Sequence, residues 1–135
     1  MNEDSQRERA KLRLFSGLIT IANLLNIPII YESKQEGYDG KLNYSPSNGE
    51  AEIKLFCKKG GFPLKDDLFF PYLLAHELGH YFCCRNKLDQ KSEQNANRLG
   101  CEICNSILTS EEQSYLRPEM DMYFIVHDLF YNKID

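Results

Sequence analysis

"PYLLAHELGHYFCCR", residues 71–85, decides how the rest of the chain is read. It holds two of the three histidines, His76 and His80, with Glu77 between them and Cys83 and Cys84 after them. Proline suits the first helical position, where its missing N–H costs nothing. The polar run Asn86–Lys91 breaks the pattern, so a helix is expected from about Pro71 to Arg85. Apolar residues crowd both flanks, "FFPYLLA" before the glutamate and "YF" after it. Such a helix belongs at the centre of a fold, where a polar group without a partner is expensive.

His76 and His80 are four residues apart, which on a helix aims both side chains the same way, about 6 Å apart along the axis. That spacing lets two imidazoles reach one zinc ion at ~2.0–2.1 Å. Glu77 then stands beside the ion rather than on it. From there it can take a proton from water and pass it to a leaving amine. Leu78 falls toward the core, and Gly79 leaves space for backbone or substrate to come close. The bland alternative is a buried helix with two structural histidines. A chain of this composition would show His-x-x-x-His with glutamate second on the order of half a percent of the time, which favours the metal.

A catalytic zinc takes three protein ligands and keeps one position open. A third histidine ten residues after His76 would fall at position 86, which is Asn86, so that pattern fails. Glu93 does better. It opens "EQNANRLG" (93–100), and a short antiparallel return can bring that first helical turn beside the zinc. Asn97, one turn on, is suited to hydrogen-bond the outer nitrogen of a ligating histidine. Ala96 keeps the two helices close. Asp89 is a rival carboxylate better suited to capping, Glu102 lies more than two turns along, and no spacing rule supports His127 as a ligand. His127, near Tyr123 and Tyr131, is instead a candidate hydrogen-bond donor to a tetrahedral oxyanion. The apolar company on its helix (Phe124, Ile125, Val126, Leu129, Phe130) favours a packed or capping histidine.

Cys83, Cys84, Cys101 and Cys104 could be read as a four-thiolate site. Neighbouring residues on a helix point about 100° apart, so Cys83 and Cys84 do not readily share an ion. Buried packing thiols are the plainer reading. An odd count of five cysteines in a chain whose charged N-terminus is unlike a secretory signal argues against a disulfide framework.

Outward from the histidine helix, Leu14, Leu18, Ile21 and Leu25 mark an amphipathic helix over residues 5–26, ended at Pro28. Ile29–Tyr31, Lys41–Tyr44 and Glu50–Cys57 read as short strands, the last two joined by the turn "SPSNG" (45–49). In the third, Ala51, Ile53, Leu55 and Cys57 alternate with Glu52, Lys54 and Phe56, one face inward and one out. If that strand lies at an edge near the zinc, a peptide can add to it through main-chain hydrogen bonds. Asp89 or Ser92 caps a helix that runs to about Ile107. "TSEE" (109–112) starts a short helix, and Pro118 opens a last one through Tyr131.

A length of 135 residues suits one domain, with a core over 28–108 and a helical segment over 109–135. The net charge of −4 argues against direct nucleic-acid binding, for which a basic face is usual. No run approaches the ~20 apolar residues of a membrane helix, so no membrane association is expected.

"FPYLLAHELGHYF" followed by "SEQNANRLGCEI" resembles the ImmA/IrrE-type metallo-endopeptidases, over roughly residues 40–108 and most closely over 69–104. The histidine helix alone is shared by many unrelated peptidases. Joined to Glu93-x-x-Ala96-Asn97 it becomes more specific. The order of elements, an N-terminal helix, a small antiparallel sheet and then helices, makes an α+β fold, to which the resemblance adds a zincin-like core. The resemblance implies one Zn2+ on His76, His80 and Glu93, with Glu77 as general base. It also implies a cytoplasmic protein of a bacterium, phage or mobile element, acting on a helix-turn-helix repressor or similar transcriptional regulator. The other course open to such a protein is to sequester the repressor without cutting it. The segment Arg98–Leu99–Gly100–Cys101 departs from the family's usual residues, and the Met-Pro that often ends that helix is absent.

Overall fold

The computed structural model describes residues 2–33, 40–57, 70–87 and 93–132, with the side chains of Ser33, Cys57, Phe70 and those beyond Ile125 outside that description. Among the described residues one helix precedes a three-stranded sheet and three helices follow it, an α+β arrangement. They are α1 (Glu3–Leu24), β1 (Ile29–Ser33), β2 (Gly40–Tyr44), β3 (Ala51–Cys57), α2 (Phe70–Arg85), α3 (Glu93–Ile107) and α4 (Ser110–Asn132). None of the described helices is long and apolar enough to cross a membrane.

Asn2 caps α1 by accepting the Ser5 N–H at 2.8 Å. Ala10, Leu14, Leu18 and Ala22, each one turn from the last, form its buried stripe. The helix ends because Asn26 turns left-handed at φ 58, letting the Ile27 N–H reach back to the Ala22 carbonyl at 2.8 Å. Pro28 follows this stop rather than causing it.

The expected antiparallel sheet is mixed. Its order is β1-β3-β2, with β3 parallel to β1 and antiparallel to β2. The chain reverses direction twice between β1 and β3, so these two strands run the same way. β3 then inserts between its predecessors instead of adding outside them. Consequently β3 is the central strand, and the idea that a peptide adds to it fails: both its edges are paired. Among the described residues β1 and β2 each keep one open edge, and β2 is the edge strand whose first residue lies against Leu73 and Glu77 of α2. Alternation in β3 also holds only in part, because Phe56 on the outward face is buried along with Ile53 and Leu55.

The Ser45–Gly49 turn forms as expected. Gly49 takes φ +74, a left-handed conformation that favours glycine, and Asn48 Oδ1 accepts the Glu50 N–H at 2.9 Å.

The two helices expected after residue 109 are one, with Pro118 inside α4. Leu116, Met120 and Phe124 are buried at helical spacing on both sides of the proline, so core packing carries the helix through a residue that interrupts its ladder. Its start is a reciprocal capping box. Thr109 Oγ1 accepts the Glu112 N–H at 3.1 Å, and Glu112 Oε1 accepts the Thr109 N–H at 2.9 Å. Arg13 of α1 ties this corner together, donating to both Glu112 carboxylate oxygens and to the Ile107 carbonyl that ends α3. A second tie joins three helices: Glu119 accepts from Tyr72 Oη–H at 2.9 Å and pairs with Lys11 at 3.3 Å.

Candidate metal centre

α2 is the central helix. Tyr72, Leu74, Ala75, Leu78, Tyr81 and Cys83 are buried around its circumference, packed on α1, α3, α4 and the sheet. His76 and Glu77 are buried with them, at 3% and 5% exposure. The polar face of α2 meets the first two turns of α3, where the sequence places Glu93 and Asn97.

Those residues converge. His76 Nε2 lies 3.1 Å from His80 Nε2, and Glu93 Oε2 lies 2.8 Å from the former and 3.3 Å from the latter. The imidazoles stand nearly perpendicular, at 86°. Asn97 Oδ1 is 2.7 Å from His76 Nδ1 and is buried there. An amide oxygen only accepts, so Nδ1 donates to it and Nε2 is the ring nitrogen that faces Glu93 and His80. Two imidazole nitrogens and a carboxylate oxygen directed at one point make a donor set suited to a cation.

The spacing also fits. Tetrahedral ligands at the ~2.0–2.1 Å of zinc lie about 3.3 Å from each other, against 2.8, 3.1 and 3.3 Å here. His76, His80 and Glu93 therefore form a group that could hold a metal ion. Neither Cys83, which is buried, nor Cys84, which is half-buried, belongs to that group. Burial pushes the Cys84, Cys101 and Cys104 thiols up.

The two glutamates are tuned in opposite directions. Burial alone would raise the Glu93 carboxyl, but hydrogen bonds and charge from His76 and His80 outweigh it and hold Glu93 well below the usual carboxylate range. Burial pushes the Glu77 carboxyl up, the two imidazoles pull against that rise and Glu93 adds to it. Glu77 sits beside the donor group without joining it.

Gly40, the first residue of β2, lies over Glu77. A Cβ there would stand 3.2 Å from Glu77 Oε2 and 3.1 Å from Leu73 Cδ1, so the missing side chain leaves that flank clear. The strand expected over Lys41–Tyr44 leaves this glycine outside it, and no local signal marks it otherwise. The Ser45 N–H bonds the Glu50 carbonyl at 2.8 Å, which fixes the hydrogen-bonding phase of the hairpin. Lys41 and Asn43 thus direct their backbone groups at β3, while Gly40, Leu42 and Tyr44 direct theirs at the open edge. That edge begins at Glu77.

Of the remaining candidates, Glu102 is exposed and near Arg98 at 3.5 Å, away from the centre. Asp89 and Ser92 lie outside the described residues. His127 falls on α4 with its side chain outside them. No family model, curated protein or solved structure matches the chain.

Proposed function

We propose that this chain is a zinc-dependent endopeptidase of the ImmA/IrrE type, a cytoplasmic protein that cuts a helix-turn-helix repressor or similar regulator. The observation that carries this reading is the buried Glu77 carboxylate standing next to a three-residue donor group and outside it. A purely structural ion needs no such neighbour. The donor set, two imidazoles and one carboxylate, suits zinc, and three protein ligands are what a catalytic zinc has. When bound, zinc would supply Lewis acidity, polarising the scissile carbonyl and easing deprotonation of water.

The chain's own residues would do the rest. Glu77 accepts a proton from the attacking water at its carboxylate and returns it to the amine nitrogen as the amide C–N bond breaks. Asn97 holds His76 in the tautomer that binds. The open edge of β2 offers an extended peptide the backbone groups of Gly40, Leu42 and Tyr44, a main-chain mode of recognition tolerant of side-chain sequence. This is the role expected of β3, transferred to β2, the edge strand that begins beside Glu77.

The test mixes zinc-loaded protein, or its Glu77→Gln variant, with the helix-turn-helix repressor encoded beside it. Cleavage by the parent, slowed by about 10²–10⁴-fold or more in the variant at unchanged zinc content, is the expected result. Inhibition of the repressor by both proteins without cleavage would sink the peptidase in favour of sequestration.

A further inference from the structure

Helices α2 and α3 touch backbone to backbone at two places. A Cβ on Gly79 would stand 2.1 Å from the Ala96 carbonyl oxygen, and one on Gly100 would stand 2.8 Å from the Ala75 carbonyl oxygen and 3.2 Å from the His76 nitrogen. Both obstacles are main chain, so no side chain can swing aside. Neither glycine has a positive φ, so backbone conformation does not call for glycine at either position. In a helix interior glycine is weaker than alanine, which leaves the contact itself as the physical reason for it.

The two contacts lie one helical turn apart on each helix and run in opposite senses, Gly79 with Ala96 and Gly100 with Ala75. One contact would set the distance between the helices and leave their angle free. Two set both. Between them lies the His76–Asn97 hydrogen bond, and one turn beyond Ala96 lies Glu93.

We propose that Gly79 and Gly100 are positioning residues for the metal centre, together fixing the spacing and angle of α2 and α3 so that Glu93 and Asn97 meet the histidines before any ion arrives. The inference rests on the three-residue donor group and not on the peptidase activity. Ordinary contact is about 3.5 Å, so alanine at 79 must part the helices by roughly 1.4 Å and alanine at 100 by roughly 0.7 Å. Metal–ligand bonds tolerate about 0.2 Å. The donor atoms, at 2.8 to 3.3 Å from one another, have little slack to absorb either displacement. The Gly79 contact is nearer Glu93 and meets the shorter distance, so its loss is the graver.

The test measures Zn2+ affinity by competition with a chromophoric chelator, and the visible spectrum of the Co2+-loaded protein, for Gly100→Ala, Gly79→Ala and Leu18→Ala. Leu18 is fully buried on α1 and serves as a destabilised control outside the donor group. Each protein is studied below its melting transition, as judged by circular dichroism. The expected result is a loss of affinity of roughly tenfold for Gly100→Ala with an altered cobalt spectrum, at least about 100-fold for Gly79→Ala, and no change beyond twofold for Leu18→Ala. Folded Gly100→Ala with parental affinity and spectrum overturns the proposal, as does a loss in Leu18→Ala equal to that in Gly100→Ala. Should Gly79→Ala fail to fold, Gly100→Ala decides. A parent that takes up no zinc overturns both this inference and the peptidase, whereas tight uptake without repressor cleavage overturns the peptidase alone.

Discussion

Replacing Asn97 separates what a buried amide does for the fold from what it does for the ion. Its oxygen accepts the His76 Nδ1–H at 2.7 Å in a place where both residues are nearly inaccessible, at 2% and 3% exposure. Asn97→Leu keeps the approximate volume and removes the acceptor. The imidazole N–H is then buried with a weaker partner or none, a cost of about 1–3 kcal/mol. The ring also loses what holds its tautomer and angle, and loss of such an outer partner typically lowers metal affinity 10–100-fold, or about 1.4–2.8 kcal/mol. Asn97→Asp goes the other way on one axis only. A carboxylate is the stronger acceptor and raises the basicity of His76 toward a cation, but without the ion it is a buried charge. The aspartate variant is therefore expected to melt lower than the parent without zinc while binding zinc at least as tightly.

Thermal melts with and without zinc, paired with a chelator-competition titration, read both quantities on each variant. If leucine at position 97 leaves zinc affinity within threefold of the parent, the hydrogen bond does not tune the site. If the aspartate variant loses stability and affinity together, Asn97 acts through packing rather than through its oxygen.

Two other perturbations bear on different parts of the molecule. Glu112, paired with Arg13, has its carboxyl held down to about 2. A folded carboxyl below its unfolded value adds stability that is present above about pH 4.5 and lost as the pH falls toward 2. Glu112→Gln should thus flatten the acid limb of a melting-temperature-against-pH curve in that window, by an amount trimmed by the solvent around the half-exposed Arg13. Curves of equal steepness for parent and variant would discount the pair. Removal of zinc is expected to lower the melting temperature without unfolding the chain, because the cluster of Leu14, Leu18, Ile53, Leu55 and Leu116 draws on no metal ligand. At zinc one hundred times above its dissociation constant the stabilisation is about 2.7 kcal/mol, roughly a 10 °C rise for a chain of this size. Loss of the helical circular-dichroism signal on chelation at 20 °C would show instead that the ion builds the fold.

The parts of this fold that sequence made legible are those governed by local periodicity. The four-residue stripe Ala10–Leu14–Leu18–Ala22 specifies α1, and the T-x-x-E pattern of Thr109–Glu112 specifies the start of α4. The donor group was legible for the same reason, since His76 with His80 and Glu93 with Asn97 are each pairs one turn apart, and only the return between the two helices had to be supplied. What periodicity does not carry is the identity of neighbours. Pro118 argues locally for a break, and only the burial of Leu116 and Met120 on either side shows why α4 continues. Gly100, by sequence a departure from the resembled family, becomes intelligible once Ala75 is seen against it.

The strand order has the largest consequence. Alternation along β3 reports which side chains face the core and is silent on which strands lie beside it. An edge β3 and a central β3 have the same sequence signature. With β3 in the centre, β1 and β2 become the edge strands, and the first residue of β2 is the glycine that leaves the flank of Glu77 clear. Every second backbone group along that edge, from Gly40 to Tyr44, then faces outward in step from the buried carboxylate. The topology that contradicts the expected sheet thus puts an open strand edge beside Glu77, the residue proposed to do the chemistry.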